Sequence, residues 1–185
     1  MKQLLFTLLL TATAVLASAQ IRQGQFMIGG NASILNSQYA NDGGANTTVI
    51  QLNPNAGYFF IDHLAGGVRV EFASIKTKDA DAATTSFLAA PFVRYYFLPS
   101  AQKVNLFLDG SYGFGAMGEN DKQELNSYAF SAGPAIFLTP NTALEFGLLF
   151  RSEGGNAIGP NRLNTFGLNV GFQIHLGKPK AEVVK

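Results

Sequence analysis

The stretch that most constrains how this chain can fold is residues 51–72, QLNPNAGYFFIDHLAGGVRVEF. Over residues 51–58 the even positions are apolar, whereas the odd positions are polar or glycine. The alternation resumes after a tight turn at residues 61–63, and the polar positions of the second series include Arg69 and Glu71. A period of two residues is typical of β-strands, whose side chains point alternately to opposite faces. The stretch therefore predicts a hairpin with one apolar face and one polar or charged face.

The same period recurs along the rest of the chain, and no amphipathic helical segment of useful length follows residue 20. It predicts eight strands, at about residues 24–34, 51–60, 64–72, 87–97, 104–114, 128–138, 144–151 and 165–176. Tight turns are expected near residues 62, 101 and 140. Long polar loops are expected at residues 36–46, 75–85, 117–124 and 153–162. Short turns alternating with longer loops are typical of an up-and-down barrel that spans an outer membrane.

Charge shows which face of the predicted strands meets water. The eight apolar faces contain no charged residue, and the opposite faces contain Arg69, Glu71, Arg94, Asp109, Glu145 and Arg151. A soluble barrel would have to bury these six charges in a dry core, which is unfavourable. In a membrane, lipid would cover the apolar faces and the charges would line the lumen. The sequence therefore predicts an all-β fold, an eight-stranded antiparallel up-and-down transmembrane β-barrel, and the low charged content of 14% agrees.

The N-terminus has the pattern of a secretory signal peptide: a lysine at position 2, an apolar run over residues 4–16, and Ala17-Ser18-Ala19. The apolar run is shorter than the roughly 20 residues of a membrane-spanning helix. We expect cleavage after Ala19, a barrel domain over residues 20–176 and a short polar tail over residues 177–185. The absence of cysteine excludes a disulfide framework. A net charge of +1 gives no reason to expect a nucleic-acid partner.

The six inward charges are the best candidate for a special site. If residues 100–103 form a four-residue loop, Arg94 lies directly opposite Asp109 on the neighbouring strand, and both point inward. We expect Arg94, Asp109, Arg69, Glu71, Glu145 and Arg151 to form a salt-bridged interior that closes the barrel. An ion path through the lumen is the alternative, although eight strands enclose only enough space for side chains.

The remaining motifs give no catalytic, cofactor or metal site. Residues 113–118 match the pattern G-x-G-x-x-G, but no helix follows and no βαβ unit surrounds them. The pair Asp79 and Asp81 and the run at residues 41–44 lack the ligand number of a calcium loop. Both histidines, His63 and His175, are expected at the periplasmic end, and His175 is expected to be a hydrogen-bonded lumen residue.

Aromatic residues are expected to form two belts at the membrane interfaces. The periplasmic belt would contain Tyr58, Phe60, Tyr95 and Phe97, and the extracellular belt would contain Phe72, Phe87, Tyr128, Phe150 and Phe166.

The hairpin also carries a family resemblance. Pro54-x-x-Gly57-Tyr58-Phe59, then Asp62-His63-Leu64 and Gly67, resemble the strand-turn-strand signature of the bacterial outer-membrane β-barrel family, the small eight-stranded barrels of the OmpA and OmpX type. Weaker echoes occur at Pro91-x-x-x-Tyr95 and Pro134-x-x-Phe137. The family's last strand often ends the chain on an aromatic residue, whereas here nine residues follow Leu176. Residues 172–176 are therefore our candidate for an internal signal to the barrel-assembly machinery.

The resemblance implies an exported, monomeric protein of the outer membrane that contacts lipid and, during biogenesis, the assembly machinery. Enzymes of this fold class include lipid A acyl-chain hydrolases and acyltransferases, which use Ser and His near the outer leaflet. Both histidines are expected at the other end, so we expect no enzymatic activity. Two functions stay open. One is a role in envelope structure or surface binding, with an extracellular ligand at the loops of residues 36–46 and 153–162. The other is a narrow porin-like channel.

Overall fold

The computed structural model describes residues 21–37, 47–77, 83–118 and 121–177. The predicted signal peptide, the motifs at residues 41–44 and 79–81, and residues 178–185 of the tail lie outside the described residues. Eight strands form: β1 (Phe26–Ser37), β2 (Thr47–Ile61), β3 (Leu64–Thr77), β4 (Thr84–Tyr96), β5 (Val104–Gly118), β6 (Gln123–Thr139), β7 (Thr142–Gly155) and β8 (Gly159–Leu176). Within those residues, no helix is long and apolar enough to cross a membrane.

The strands form a closed antiparallel barrel in which each pairs with its neighbours in sequence and β1 pairs with β8. A line drawn from Phe166 through successive paired residues passes Phe150, Phe130 and Gly110 and returns to β8 at Leu176, ten residues further along. Such a displacement means that the strands tilt by about 35–45° from the barrel axis. The eight-stranded transmembrane fold that the sequence predicts is confirmed.

The inside-out arrangement of side chains agrees with the predicted register on all eight strands. Apolar residues of the outward series, such as Val93, Phe114 and Leu148, are 58%, 56% and 70% exposed on the isolated barrel. The residues on either side of Val93, Phe92 and Arg94, are buried in the lumen. A fold with its large apolar side chains outside and its charges inside requires a lipid environment.

Three of the four extracellular connections are shorter than predicted, and residues 38–46 of the expected loop at residues 36–46 lie outside the described residues. The expected loop at residues 153–162 is wrong, because β7 continues to Gly155 and β8 starts at Gly159. Pairing of Glu153 with Leu163 extends the hairpin, and the two glycines, with φ of 115° and 96°, supply the left-handed conformations of the turn. The expected loops at residues 75–85 and 117–124 are likewise partly strand, since β3 ends at Thr77, β4 starts at Thr84, β5 ends at Gly118 and β6 starts at Gln123.

Arg162 explains why the last hairpin is ordered beyond the predicted strand. Its guanidinium donates to Ser152 Oγ at 2.9 Å, to Ser152 O at 2.7 Å and to Asn126 Oδ1 at 2.9 Å. The same group lies 4.8 Å from the centre of the Tyr128 ring. One side chain of β8 therefore ties together β6 and β7, and polar composition alone does not reveal this.

Glycine at position 67 is required by the close approach of two strands. A Cβ atom there would collide with the backbone carbonyl oxygen of Ala56 and lie 2.5 Å from Gly57 Cα. We expect Gly67→Ala to destabilise the refolded barrel by about 1–3 kcal/mol, because backbone atoms would have to move. The matched control is Gly110→Ala, whose new methyl group would meet the Phe130 ring at an ordinary 3.5 Å. Equal urea midpoints for the two variants would contradict this account.

Candidate functional site in the barrel interior

Four of the six predicted charges form one continuous chain of ion pairs across the lumen, which we call the central network: Arg69, Asp109, Arg94 and Glu145. Arg69 Nη2 lies 2.9 Å from both carboxylate oxygens of Asp109. Arg94 Nε lies 3.0 Å from Asp109 Oδ2, and its Nη1 lies 2.7 Å from Glu145 Oε2. All four side chains are at most 6% exposed. The network alternates in sign and is neutral, as buried charges must be to remain ionised.

The other two predicted charges form a separate pair nearer the extracellular end. Arg151 Nη1 lies 2.6 Å from Glu71 Oε2 and 3.8 Å from Glu153 Oε1. Glu153 was not among the predicted site residues, because we expected it to lie in a loop. Each of Arg151 and Glu71 keeps one polar side-chain atom, Nε and Oε1, without a hydrogen-bond partner among the described residues.

Strand geometry explains how each charge reaches its place. Arg94 and Asp109 are directly paired on β4 and β5, as the four-residue loop predicts. Arg94 also reaches Glu145, which is on β7, on another part of the wall. The guanidinium groups are supported by aromatic faces, since Arg69 lies 5.0 Å from the Phe92 ring centre and Arg94 lies 4.9 Å from that of Phe107. Such cation–π contacts stabilise guanidinium groups that have left water.

On the periplasmic side of the central network, a set of buried apolar side chains occupies the lumen. Tyr96 joins the two layers, because its hydroxyl donates to Glu145 Oε1 at 2.9 Å while its ring is 6.1 Å from that of Phe59. The buried set, which we call the periplasmic plug, consists of Ile21, Met27, Phe59, Ala65, Phe92, Tyr96, Phe107, Ala135, Phe137 and Ala143. The residues of the periplasmic plug are all at most 3% exposed.

Ile21 of the plug comes from outside the strands and was missed by the sequence analysis. The segment at residues 21–25 turns under the barrel and is fixed to the β2–β3 turn. Backbone N–H groups of His63 and Gln23 donate to Ile21 O at 3.0 Å and to Asp62 Oδ1 at 2.7 Å. Gln25 Nε2 donates to Gly177 O at 3.2 Å. A single isoleucine that follows the predicted signal peptide carries no periodic signal, so the sequence alone could not predict its contact.

We expect Ile21→Ala to lower the free energy of unfolding by about 2 kcal/mol, because it empties a fully buried site at the periplasmic mouth. The control is Ile61→Ala, because Ile61 is at the same end of the barrel but its side chain is 55% exposed. Urea midpoints of the two refolded variants measure the difference. If Ile21→Ala unfolds at the wild-type midpoint, the N-terminal segment does not close the barrel in solution.

The histidines are at the periplasmic end, as expected. His63 is in the β2–β3 turn with φ of 68°, and its Nδ1 lies 3.1 Å from Tyr96 O. The expectation that His175 is a hydrogen-bonded lumen residue is wrong for its side chain: within the described residues neither ring nitrogen has a hydrogen-bond partner. Its ring contacts those of Phe59, Tyr96 and Phe137 at 5.4–5.9 Å, because the plug surrounds it with aromatic carbon.

The lumen holds a small cavity beside the central network. This cavity measures about 10 Å³ and is lined by Asn31, Asn53, Arg69, Arg94, Asp109, Ala129, Phe130, Ser131, Leu149, Arg151 and Asn169. That volume is enough for about one water molecule. In the part of the chain that the structure describes, no group of three or more His, Cys, Asp or Glu residues could hold a metal ion. Residues 113–118 lie within β5, where no nucleotide-binding turn forms.

The fold is shared with outer-membrane barrels of known structure. Neisserial surface protein A matches with a TM-score of 0.61 and 18% identity, over 82% of this chain and 97% of that one. The outer membrane protein OprG of Pseudomonas aeruginosa matches with a TM-score of 0.55 and 15% identity, over 85% and 98%. The N-terminal β-barrel domain of OprF from the same organism gives 0.54 and 11%, over 83% and 98%. At these identities the likeness concerns the fold alone. A search of curated proteins finds no match.

The sequence itself matches a family model described as the outer membrane protein beta-barrel domain, over residues 5–177. The match covers all eight strands, and the lipid-facing exterior and charged interior fit it. This chain belongs to that family of integral outer-membrane β-barrel proteins.

Proposed function

We propose that this protein is a non-enzymatic, closed barrel with a structural role in the outer membrane. One observation carries the proposal, namely the filled lumen. The periplasmic plug occupies one half, the central network crosses the middle, and the cavity beside the network is about 10 Å³. A conducting pore needs a continuous path for water, and the buried side chains of the plug and the central network support a lumen without such a path.

The placement of the histidines supports the non-enzymatic part of the proposal. Hydrolases and acyltransferases need a base within hydrogen-bond reach of a nucleophile. His175 is fully buried among aromatic rings, and His63 contacts a backbone carbonyl. Both lie at the end of the barrel opposite the outer leaflet.

Single-channel conductance of the refolded mature protein in a planar bilayer tests the proposal. We expect the wild-type barrel to be silent. The variants Arg94→Ala and Asp109→Ala are measured beside the wild type, because each removes one side chain of the central network. Steady wild-type openings whose conductance changes in these variants would overturn the proposal and favour a narrow channel filtered by lumen charges.

Surface binding is the second role to consider, because the extracellular ends of the hairpins project from the membrane. Replacing residues 156–158, the turn between β7 and β8, with a glycine-containing turn of equal length tests it without affecting the lumen. Loss of cell-surface adhesion with normal folding would assign the contact to this tip. Unchanged adhesion would remove this tip from consideration.

A further inference from the structure

Three ladders of the barrel wall are interrupted, and each interruption coincides with a proline. Pairing of β2 with β3 stops after Leu52 and resumes at Asn55, which leaves out Pro54. The corresponding gap in the β4–β5 ladder contains Pro91, and the gap in the β6–β7 ladder contains Pro134. All three proline side chains are exposed on the isolated barrel, so they face lipid. The same interruption thus occurs on β2, β4 and β6.

The covalent structure of proline explains the gaps. Proline has no backbone N–H and cannot donate to a ladder. When the register is continued across each gap, the residues opposite the three prolines are Val70, Tyr112 and Phe146. Their carbonyl groups receive no ladder hydrogen bond from the residue opposite. The register is the same on both sides of each gap, so the prolines remove a hydrogen bond without introducing a bulge.

The interruptions lie within the apolar band of the membrane. Pro54 and Pro91 each precede a tyrosine of the expected periplasmic belt by four residues, Tyr58 and Tyr95. Four residues of a tilted strand span roughly 10 Å of membrane depth. Pro134 is five residues from the end of β6, as Pro91 is from the end of β4. A carbonyl without a donor is strongly unfavourable in hydrocarbon, so the prolines lower the stability of the assembled barrel.

The interruptions divide the wall into pairs of strands. Over the described residues, the ladders β1–β2, β3–β4, β5–β6 and β7–β8 have no proline gap, and β7–β8 shifts only beside its turn. The interrupted ladders lie between these pairs, so any three consecutive strands include one of them. A two-stranded hairpin is at best marginally stable in water, and a third strand is needed for independent stability. The gaps therefore weaken every three-stranded sheet that consecutive strands can form.

The strands that carry the prolines are poorly protected against association in water. Residues 47–61 of β2, 84–93 of β4 and 125–139 of β6 contain no charged residue. Uncharged, apolar segments of this kind pair readily with other chains unless a proline interrupts them. Residues 163–174 of β8 are also uncharged and contain no proline, but no strand follows β8 in the sequence. The prolines thus occur where a further strand is available for pairing as soon as the chain is in water.

We propose that Pro54, Pro91 and Pro134 delay sheet formation in water, so that the strands of the exported chain pair only when they enter the membrane. In hydrocarbon, backbone pairing is far more favourable than in water, and the barrel forms despite three missing hydrogen bonds. Each proline strand is also held on its other side by a continuous ladder. Prolines that served to bend the wall would be expected at bulges, and the unchanged register shows none at the three gaps.

A variant in which valine replaces all three prolines tests the proposal, because it restores three N–H donors on the lipid-facing series. This proline variant combines Pro54→Val, Pro91→Val and Pro134→Val. The matched control replaces the outward alanine that lies two residues from each proline, where the N–H is already present. This alanine control combines Ala56→Val, Ala89→Val and Ala132→Val. Both variants add apolar, β-branched side chains to the same three strands, and only the proline variant adds hydrogen-bond donors.

The lifetime of the foldable chain in water is the quantity to measure. Urea-unfolded protein is diluted into lipid-free buffer, dimyristoylphosphatidylcholine vesicles are added after increasing delays, and the protease-resistant fraction is determined. We expect the proline variant to lose its ability to fold about fivefold faster than the wild type, since one added hydrogen bond favours each paired hairpin by about that factor. The alanine control should follow the wild type. Circular dichroism before lipid addition should show more β-structure in the proline variant alone.

Vesicles that are present from the start of dilution measure the assembled barrel instead. We expect the proline variant to fold there and to unfold at a higher urea concentration than the wild type, because three carbonyl groups regain a donor. If the proline variant aggregates at once even with vesicles present, Pro91→Val alone is compared with Ala89→Val. Equal lifetimes of the proline variant and the wild type in water would overturn the proposal. An alanine control that is lost as fast as the proline variant would also overturn it, because side-chain character would then explain the effect.

Discussion

Replacing Arg94 with alanine is expected to lower the free energy of unfolding of the refolded barrel by about 3–5 kcal/mol. Arg94 is the centre of the central network, because it contacts both of its carboxylates, Asp109 and Glu145. Without the guanidinium, the buried carboxylate of Glu145 loses its ion pair, and Asp109 keeps only its pair with Arg69 among the described residues. A buried charge that has lost its partner is far more unfavourable than the intact pair was stabilising.

The urea midpoint in phospholipid vesicles measures this effect, with Lys103→Ala as the control. Lys103 is an exposed cation in the β4–β5 turn, so its removal should change stability by no more than about 0.5 kcal/mol. The double variant Arg94→Ala with Glu145→Ala should recover part of the loss, because it removes one stranded charge. An unchanged midpoint for Arg94→Ala would mean that the interior charges do not hold the barrel closed.

Sequence periodicity could predict the wall of this barrel because each strand carries the information by itself. The outward and inward series are set by the alternation of side chains along a strand, so Leu108 and Asp109 point to opposite sides whatever the rest of the chain does. The contact of Arg94 with Asp109 follows as well, since one short turn fixes the register of adjacent strands.

Contacts between distant strands could not be predicted, because they depend on how the barrel closes. Arg94 reaches Glu145 on β7, and Arg151 reaches Glu71 on β3, across a lumen whose shape is set by the ten-residue displacement around the wall. The sequence thus indicates which residues point inward but not which of them pair. For the same reason it could not reveal that the β1–β8 ladder stops at Ala32.

The contacts of residues outside the alternating pattern could not be predicted either. Ile21 lies outside any strand, and its role follows only from hydrogen bonds to the β2–β3 turn. Glu153 and Arg162 lie in a glycine-rich, polar stretch that is typical of a loop, yet Arg162 has enough partners on β6 and β7 to extend the hairpin. Composition describes what a segment prefers in isolation, and here tertiary contacts override it.

A charge placed on the lipid-facing side of the barrel wall is expected to destabilise the protein in bilayers. Leu108 lies on β5 between Val104 near the periplasmic turn and Phe114 near the extracellular end, and it is 46% exposed. We expect Leu108→Arg to destabilise the barrel in phospholipid bilayers by about 2–4 kcal/mol, because the guanidinium would lie near the midplane. The free energy of unfolding of the refolded variant, measured by guanidinium titration in vesicles, gives this value.

The matched control is Asn164→Arg, which places the same side chain on an exposed position near the extracellular end of β8, where Asn164 pairs with Ser152. Near the interface an arginine costs only about 0–1 kcal/mol, since its guanidinium can reach water. In detergent micelles, which deform around a charge, the difference between the two variants should shrink. If Leu108→Arg and Asn164→Arg were equally stable in bilayers, Leu108 would not face lipid, and the inside-out register would be wrong. A charge is therefore tolerated at Asp109 and unfavourable at its neighbour Leu108, solely because the two side chains point to opposite sides of the barrel wall.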